Sequence, residues 1–270
     1  MISRRERILN LAVLLFMAGV VLIPLGLLVL SALSPTPNGR PDVADLRWEN
    51  FVIAWQQSDF GSHLTVSLTI SLAVVAITLV VTPLAAYGLE VLKAPGHRWV
   101  FLVFLAGIMI PLEGIIVPLY FTMRSTPFAS TVGALIIAHA GLSVSFGVFW
   151  MRASFRAVPG GIIESAMLDG AGPTRVLRSI VLPLTTPAVI TLGLLTFMWT
   201  WNDYFLAFVL VNNPDHLPVT VALGSFSNKY TTQYNLMSAA AILVALPIVI
   251  LYIAFQRRFI EGVLSGAVKG

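Results

Sequence analysis

The longest polar interruption of this sequence reads RASFRAVPGGIIESAMLDGAGPTRVLRSIVLP and runs from Arg152 to Pro183 between two apolar stretches. Pro159-Gly160-Gly161 predicts a break in the preceding helix, and Ile162 to Asp169 predicts about two turns of a new helix. Four apolar side chains are expected to share one face of this helix: Ile162, Ile163, Ala166 and Met167.

Glycines and prolines predict the limits of a second arm. Gly170 is expected to stop the first short helix, Gly172-Pro173 to start the next one, and Pro183 to end it. Glu164 is expected in the first turn, where a carboxylate suits the positive helix end. Two short helices joined by glycine form an elbow, which is a shape that a partner protein can grip.

The spacing within this segment resembles the coupling-loop signature of ABC-importer permeases, although Ser165 stands where that family usually has a second alanine. By this resemblance Glu164 and Asp169 orient the elbow, Gly170 permits its bend, and Ala166 and Met167 pack into a partner ATPase. The positions expected to take part are Glu164, Ser165, Ala166, Met167, Asp169, Gly170, Ile180, Leu182 and Pro183. The residues alone leave open an ordinary amphipathic connector between membrane helices.

The composition indicates a membrane protein. Of 270 residues 57% are hydrophobic and only 10% are charged, and the mean hydropathy is +0.90, whereas soluble domains carry about 25% charged residues. The sequence contains no cysteine, which excludes disulfides, thiolate catalysis and cysteine zinc sites. Together with the resemblance, this composition leads us to expect an all-α polytopic membrane protein that forms a single transmembrane domain over 1–270. The resemblance implies the type I ABC-importer permease fold, with six transmembrane helices and a cytoplasmic two-helix coupling loop.

Six apolar stretches are long enough to cross a bilayer, which takes about 20 residues. The first follows Arg4, Arg5 and Arg7, and it is too long for a signal-peptide core, so we expect an uncleaved helix. The predicted spans are about 8–33, 64–90, 99–120, 131–151, 184–210 and 236–256. The intervening segments are two extracytoplasmic loops, 34–61 and 211–235, and the coupling loop, 152–183.

The distribution of Lys and Arg predicts the orientation. Twelve of them fall on one side of these spans and four on the other: Arg40, Arg47, Arg124 and Lys229. Because positive residues favour the inside, both termini and the elbow are expected in the cytoplasm of an inner-membrane protein. This asymmetry also accounts for the basic composition, so no nucleic-acid partner is expected.

Four ionisable residues fall within or beside the predicted spans: Glu90, Glu113, His139 and Asp203. Such residues are costly in lipid and face protein or a water-filled path. Glu90 is expected to be interfacial or structural. Glu113 either lines the pathway or marks a kink beside Pro111 and Gly114, and His139 is expected to be a packed interior histidine rather than a proton carrier.

The stretch Trp199-Thr200-Trp201-Asn202-Asp203-Tyr204 combines aromatic rings with amide and carboxylate groups. Trp199, Asn202 and Asp203 are three and four positions apart and are expected on one helix face. A sugar would stack on the indole and hydrogen-bond to the polar groups, and Tyr204 belongs to the same candidate pathway. Helix-to-helix packing through the polar side chains is the open alternative.

The sequence holds no phosphate-binding loop, because none of Lys93, Lys229 and Lys269 follows a glycine-rich run. No His or carboxylate spacing predicts a metal site. No cofactor is therefore expected in this chain, and we do not expect it to be an enzyme. The resemblance implies that ATP and magnesium are bound by partner subunits.

The resemblance narrows to the maltose-type carbohydrate importers at the tail, Gln256-Arg257-Arg258-Phe259, Gly262 and 264–270. In that family the tail lies against the ATPases, and the loop corresponding to 211–235 reaches the solute-binding protein, which suggests Asn228, Lys229 and Tyr230 as contacts. The partners implied are a second permease, two ATP-binding subunits, an extracytoplasmic solute-binding protein and a carbohydrate or polyol substrate.

Two functions from other classes remain open on the residues alone. A proton-coupled secondary transporter would use Glu113, His139 and Asp203 as a relay. An intramembrane enzyme is a weaker alternative, since the carboxylates are too dispersed for an acid–base pair.

Overall fold

The computed structural model describes residues 4–40, 43–227 and 230–267, with side chains as far as Gln256. Regular structure in these residues is helical, apart from one isolated β-bridge between Ser227 and Thr232. The expected all-α fold class is confirmed. The helices are α1 (Arg4–Ala32), α2 (Glu49–Gln57), α3 (Phe60–Glu90), α4 (His97–Met109), α5 (Leu112–Arg124), α6 (Val132–Arg156), α7 (Gly160–Leu168), α8 (Pro173–Leu184), α9 (Thr186–Asn202), α10 (Phe205–Leu210), α11 (Val219–Ala222) and α12 (Tyr234–Ala267).

Four helical stretches of the described residues are long and apolar enough to cross a membrane: α1, α3, α6 and Tyr234–Gln256 of α12. Two further stretches pass the same test only as bent pairs. The axes of α4 and α5 differ by 101°, and those of α8 and α9 differ by 79°. The chain therefore provides four candidate spans, or six if each bent pair forms one span.

The bend between α4 and α5 lies inside the stretch 99–120, which hydropathy alone presents as continuous. Ile110 is extended, with φ −79° and ψ 117°, as expected for a residue that precedes proline. Pro111 then takes φ −68° and ψ 138° before α5 begins. The proline also lacks the N–H that a continuous helix needs, so the backbone turns here.

The stretch 184–210 is interrupted twice. A bend at Thr185 precedes α9, whose first turn contains Pro187, and Thr186 Oγ1 donates to the carbonyl of Pro183 at 3.0 Å. A second break separates α9 from α10, because Asp203 is extended with φ −66° and ψ 129°. Asp203 therefore lies between two helices rather than within one.

Several helices extend into segments that are predicted to be loops because their sequences are polar. Helix α6 continues to Arg156, α12 continues to Ala267, and the loop 34–61 contains α2 and the start of α3. Helix α11 and the 3₁₀ turns Pro214–His216 and Leu223–Phe226 lie within 211–235. Hydropathy locates where side chains become polar, and backbone hydrogen bonding continues past that point.

Two compact units make up the chain, Met1–Gly61 with Ala222–Pro247 and Ser62–Val221 with Ile248–Gly270. The first unit has a small core that includes Ala54, Phe226 and Ala239. Its loop after α1 is fixed by Asn50, whose Nδ2 donates to the carbonyls of Ala32 and Ser34 at 2.8 and 2.9 Å.

In the second unit, α3 packs closely against α6 and α9. A Cβ atom added to Gly147 of α6 would lie 2.4 Å from Thr82 Cγ2, and one added to Gly193 of α9 would lie 3.3 Å from Leu79 Cδ1. Small residues at these crossings let the backbones approach, as in membrane helix pairs generally. These contacts hold the helices on which the candidate site residues lie.

Candidate functional site

The elbow is formed by α7 and α8, and its corner lies at Gly170. The N–H of Ala171 donates to the carbonyl of Ala166 at 3.0 Å, and the N–H of Gly170 donates to that of Met167 at 3.1 Å. These two bonds form a Schellman motif, which places Gly170 in the left-handed region at φ +82°. The expected stop at Gly170 is confirmed, and so is the start of α8 with Pro173 in its first turn.

The apolar side chains of α7 divide between two environments. Ile163 and Ala166 pack against a buried cluster that includes Met151, Phe155 and Val181. Ile162 and Met167 are 43% and 42% exposed, so only part of the shared apolar face is covered within this chain. At 100° per residue the four side chains span an arc of about 140°. Ile163 and Ala166 lie in the middle of this arc, against the cluster, and Ile162 and Met167 lie at its edges.

The exposed side of the elbow carries large apolar and acidic groups. Leu168 is 88% exposed, and Glu164, Ser165 and Asp169 are exposed beside it. Helix α7 begins at Gly160, so Glu164 lies past its first turn, contrary to expectation. Among the described residues no basic group forms an ion pair with Glu164 or Asp169.

The second arm of the elbow is helical from Pro173 to Leu184, so it ends one residue after Pro183, where its end was expected. Residues Leu177–Val181 form a π-helix, and the N–H of Leu182 donates to the carbonyl of Leu177. Pro183 has no N–H for the carbonyl of Ser179, and the wider turn accommodates the proline within the last turn of the helix. Leu182 packs against the buried cluster, Ile180 is half-buried, and Pro183 is exposed.

A buried ion pair lies at the base of the elbow. Arg152 Nε donates to Glu90 Oε2 at 2.6 Å, and these side chains are only 19% and 16% exposed. Arg156 Nε lies 3.4 Å from Glu90 Oε1, with its side chain 76% exposed. The guanidinium of Arg152 also covers the Phe101 ring at 3.8 Å from its centre. Glu90 is therefore structural, and it joins α3 to the helix that leads into the elbow.

A second polar pair lies deep in the second unit. His139 Nε2 is 3.5 Å from Asp203 Oδ2, with the side chains 11% and 14% exposed. The Asp203 carboxylate also accepts from the N–H groups of Leu206 and Ala207 at 3.4 and 3.1 Å. Asp203 thus caps α10 in the manner of an N-terminal carboxylate.

The surroundings of this pair are mainly hydroxyl-bearing and apolar. Thr220 Oγ1 donates to the carbonyl of Asp203 at 2.6 Å, which fixes the break between α9 and α10. A small cavity lies here, and His139, Asp203 and Thr200 are among the residues that line it. Thr200 Oγ1 is buried there and has no hydrogen-bond partner among the described residues.

The expected shared face of Trp199, Asn202 and Asp203 does not form, because α9 ends at Asn202. Trp199 is 49% exposed and meets the Phe146 ring edge to face at 4.8 Å. Asn202 Nδ2 donates to the carbonyl of Met198 at 2.9 Å. Tyr204 is 47% exposed and stacks on Phe208. The buried carboxylate is thus separated from the exposed aromatic and amide groups.

Glu113 lies in the first turn of α5, directly after the 101° bend, and its side chain is exposed. The proposed kink at this position is present. Its carboxylate lies at the N-terminal end of α5. Glu113 is not among the residues that line the cavity at His139 and Asp203.

The comparisons with known proteins identify the family. The sequence profile described as "Binding-protein-dependent transport system inner membrane component" matches residues 83–264, which include the elbow and both bent helix pairs. The chain belongs to this family. It is a multi-pass permease subunit of an ABC importer, located in the inner membrane.

Two relatives match this permease over nearly its whole length. The diacetylchitobiose uptake system permease NgcG of Streptomyces coelicolor is 26% identical over 99% of this chain and 90% of its own. The trehalose transport system permease SugB of Mycobacterium tuberculosis is 29% identical over 93% of this chain and 94% of its own.

A solved structure shares the fold of this permease. A chain of a bacterial ABC transporter involved in import of the acidic polysaccharide alginate superposes with a TM-score of 0.83 at 21% identity, covering 96% of this chain and 99% of that one. The helical fold described above is therefore the fold of ABC-importer permeases.

Several predicted contact positions of this permease are not described. Asn228 and Lys229 lie outside the described residues, as do 268–270 and the side chains of Arg257 and Arg258. Tyr230 is 87% exposed. The sequence did not predict the contacts of Arg152 and Arg156 with Glu90 or that of Thr220 with Asp203. Only the arginines could have been noticed, since they lie four positions apart directly after a predicted span.

Proposed function

We propose that this permease moves a carbohydrate or related polyol inward across the cytoplasmic membrane and that ATP hydrolysis by partner subunits drives it. Relatives named for diacetylchitobiose and trehalose support a carbohydrate substrate. A further structure with this fold is that of a bacterial alginate ABC transporter in complex with an alginate pentasaccharide-bound periplasmic protein. By this proposal the partners are a second permease, two ATP-binding subunits holding ATP and magnesium, and an extracytoplasmic solute-binding protein.

The proposed topology has six spans, with each bent helix pair serving as one span and both termini in the cytoplasm. The elbow then lies on the inner side, where ATP-binding subunits assemble. The segments 34–61 and 211–235 lie on the outer side, toward the solute-binding protein. The excess of Lys and Arg on the elbow side supports this orientation.

The exposed elbow carries the proposal most directly. Leu168, Ile162 and Met167 are exposed apolar side chains close together on one short helix. A cluster of this kind marks a surface that a partner covers, whereas a single exposed leucine needs no such explanation. Glu164 and Asp169 add carboxylates, and Asp169 lies at the negative end of α7, where a basic group from a partner would stabilise it. Ala166 belongs to the side of the elbow that packs inward, so we assign ATPase contact to Met167 and Leu168 instead.

The remaining elbow residues act through shape. Gly170 sets the corner, Ser165 caps its own turn through a bond from Oγ to the carbonyl of Ile162 at 3.1 Å, and Ile180, Leu182 and Pro183 shape the second arm. When the ATP-binding subunits close, the elbow moves with them, and the Glu90–Arg152 pair transmits that movement to α3 and α6.

The solute pathway is proposed to run beside the bent helix pairs of the second unit. Trp199, Asn202 and Tyr204 offer exposed aromatic and amide groups for a sugar, and Glu113 offers a carboxylate at the break of the α4–α5 pair. Asp203 shapes this region by capping α10. The family membership supports this ATP-driven function over a proton-coupled transporter.

The decisive experiment uses the complex of this permease with its partner subunits in lipid vesicles. Uptake of labelled trehalose, diacetylchitobiose, a larger oligosaccharide and a polyol is measured with ATP inside and the solute-binding protein outside. We expect ATP-dependent accumulation of one carbohydrate class. Accumulation of a non-carbohydrate solute in preference to all four would contradict the proposed substrate.

A further inference from the structure

An open cleft of about 260 Å³ lies in the second unit, where the C-terminal end of α5 meets the segment that follows α10. Its lining includes an aromatic ring, a guanidinium, a hydroxyl and an amide, from Tyr120, Arg124, Ser130 and Asn212. This combination is polar and cationic, and none of these residues belongs to the elbow or to the His139–Asp203 pair.

Arg124 brings a positive charge to the cleft, and its known side-chain partner is a neutral hydroxyl. Its Nη1 donates to the hydroxyl of Tyr120 at 3.1 Å, and its guanidinium carbon lies 6.0 Å from the centre of that ring. No carboxylate of the described residues lies within ion-pair distance of it. A guanidinium has five N–H donors in a planar fork that matches a carboxylate, so most of its donors are available.

Arg47 provides an instructive contrast in the other unit. It also lies on the predicted outer side, but it bonds to Asp45 at 3.0 Å and to Glu49 at 3.2 Å. Among the described residues, carboxylates thus pair with Arg47, and none pairs with the exposed Arg124. Arg47 is for this reason a matched control for Arg124.

The part of the cleft wall formed by Ser130 and Asn212 is held in place by specific bonds. Ser130 adopts φ +56°, a left-handed conformation that is uncommon outside glycine. Its hydroxyl accepts from the N–H of Asn212 at 2.7 Å, and its carbonyl oxygen, which can only accept, lies 3.2 Å from His216 Nδ1. A wall held in this way is preorganised, which lowers the entropic cost of binding.

We propose that the Arg124 cleft receives a carboxylate side chain of the solute-binding protein when that protein docks. This inference rests on the proposed function, which places the cleft on the outer side. A carboxylate satisfies both the charge and the fork of Arg124, whereas a neutral sugar offers no charge to it. The cleft is open to the surface, as docking of a protein side chain requires.

The test measures binding of the sugar-loaded solute-binding protein to the purified complex in lipid nanodiscs at several salt concentrations. Arg124→Gln is expected to weaken binding about fivefold to tenfold at low salt, mainly through a slower on-rate, and to reduce its salt dependence. Arg124→Lys keeps the charge and is expected to retain most of the salt dependence. Arg47→Gln is expected to bind like the wild type.

Because the chain has no cysteine, Ala129→Cys places the only thiol of this chain in the cleft while Arg124 stays in place. A photo-crosslinker on this thiol is expected to attach to the solute-binding protein, at a peptide that contains Asp or Glu. Co-purification of all subunits with each variant establishes that the complex is assembled.

Two results separate this inference from the proposed function. If the wild-type complex fails to bind the solute-binding protein, both are overturned. If the wild type binds and Arg124→Gln binds equally well, only the docking site is overturned. Normal protein binding by Arg124→Gln, combined with a higher sugar concentration for half-maximal uptake, would also overturn it and indicate a solute contact instead.

Discussion

Arg152 Nε lies 2.6 Å from Glu90 Oε2 in a pair that is more than four-fifths buried and that joins two helices at the base of the elbow. Breaking a buried pair leaves one uncompensated charge, which costs about 3–5 kcal/mol. We therefore expect Arg152→Ala to lower the thermal stability of the purified complex strongly.

The matched control for this prediction is Arg156→Ala. Arg156 approaches the same carboxylate at 3.4 Å but is 76% exposed, and exposed pairs contribute at most about 1 kcal/mol. Melting of both variants in the same detergent checks the difference. Equal losses for the two variants would show that the burial of Arg152 does not matter.

Gly170 provides a test of the elbow corner. A non-glycine residue in the left-handed region costs roughly 1–2 kcal/mol, so Gly170→Val is expected to distort the corner and abolish solute-stimulated uptake while membrane insertion stays intact. Gly172 has φ −68° and open space around its Cβ position. Gly172→Val is the matched control, and normal uptake by Gly170→Val would remove the elbow from the coupling mechanism.

Two glycines of α6 test the packing of the helices. A Cβ at Gly147 would meet Thr82 Cγ2 at 2.4 Å, whereas one at Gly141 meets nothing within 4 Å. Gly147→Ala is expected to destabilise the protein by about 1–3 kcal/mol, and Gly141→Ala to be neutral or stabilising by up to about 1 kcal/mol. Thr82→Ala should partly rescue Gly147→Ala. Absence of rescue would indicate that another contact is responsible.

The elbow was readable from the sequence because its signals are local. Gly170 and Pro173 act through their own backbone preferences, so their positions predict a stop and a start directly. The break at Pro111 also carried a local signal, but the apolar stretch around it concealed the 101° bend.

The polar pairs were beyond sequence reasoning because they depend on distant residues. Glu90 and Arg152 are 62 positions apart, and the break at Asp203 is fixed by Thr220, 17 positions later. The helical pattern of the sequence predicts a helix that continues past Asn202. No nearby residue signals that the hydroxyl of Thr220 binds the carbonyl of Asp203 and ends the helix there.

Thr200 tests the surroundings of Asp203. Its Oγ1 is buried without a partner, and replacing an unpartnered buried hydroxyl by a methyl group of the same shape is expected to be neutral or stabilising by about 1 kcal/mol. Asp203→Ala, in contrast, removes the cap of α10 and is expected to cost about 1–2 kcal/mol. Thermal unfolding of Thr200→Val and Asp203→Ala checks both signs, and a large loss of stability in Thr200→Val would contradict the assignment.

In the proposed mechanism, a separate ATPase subunit moves the elbow, and the elbow in turn moves the membrane helices that line the solute pathway. The most direct measurement compares solute accumulation in vesicles that hold this chain alone, the assembled complex, and the complex with a non-hydrolysable ATP analogue. We predict accumulation only in the assembled complex with hydrolysable ATP, unchanged when the proton gradient is collapsed. Accumulation by the chain alone, or uptake that disappears with the proton gradient while ATP is maintained, would contradict the account.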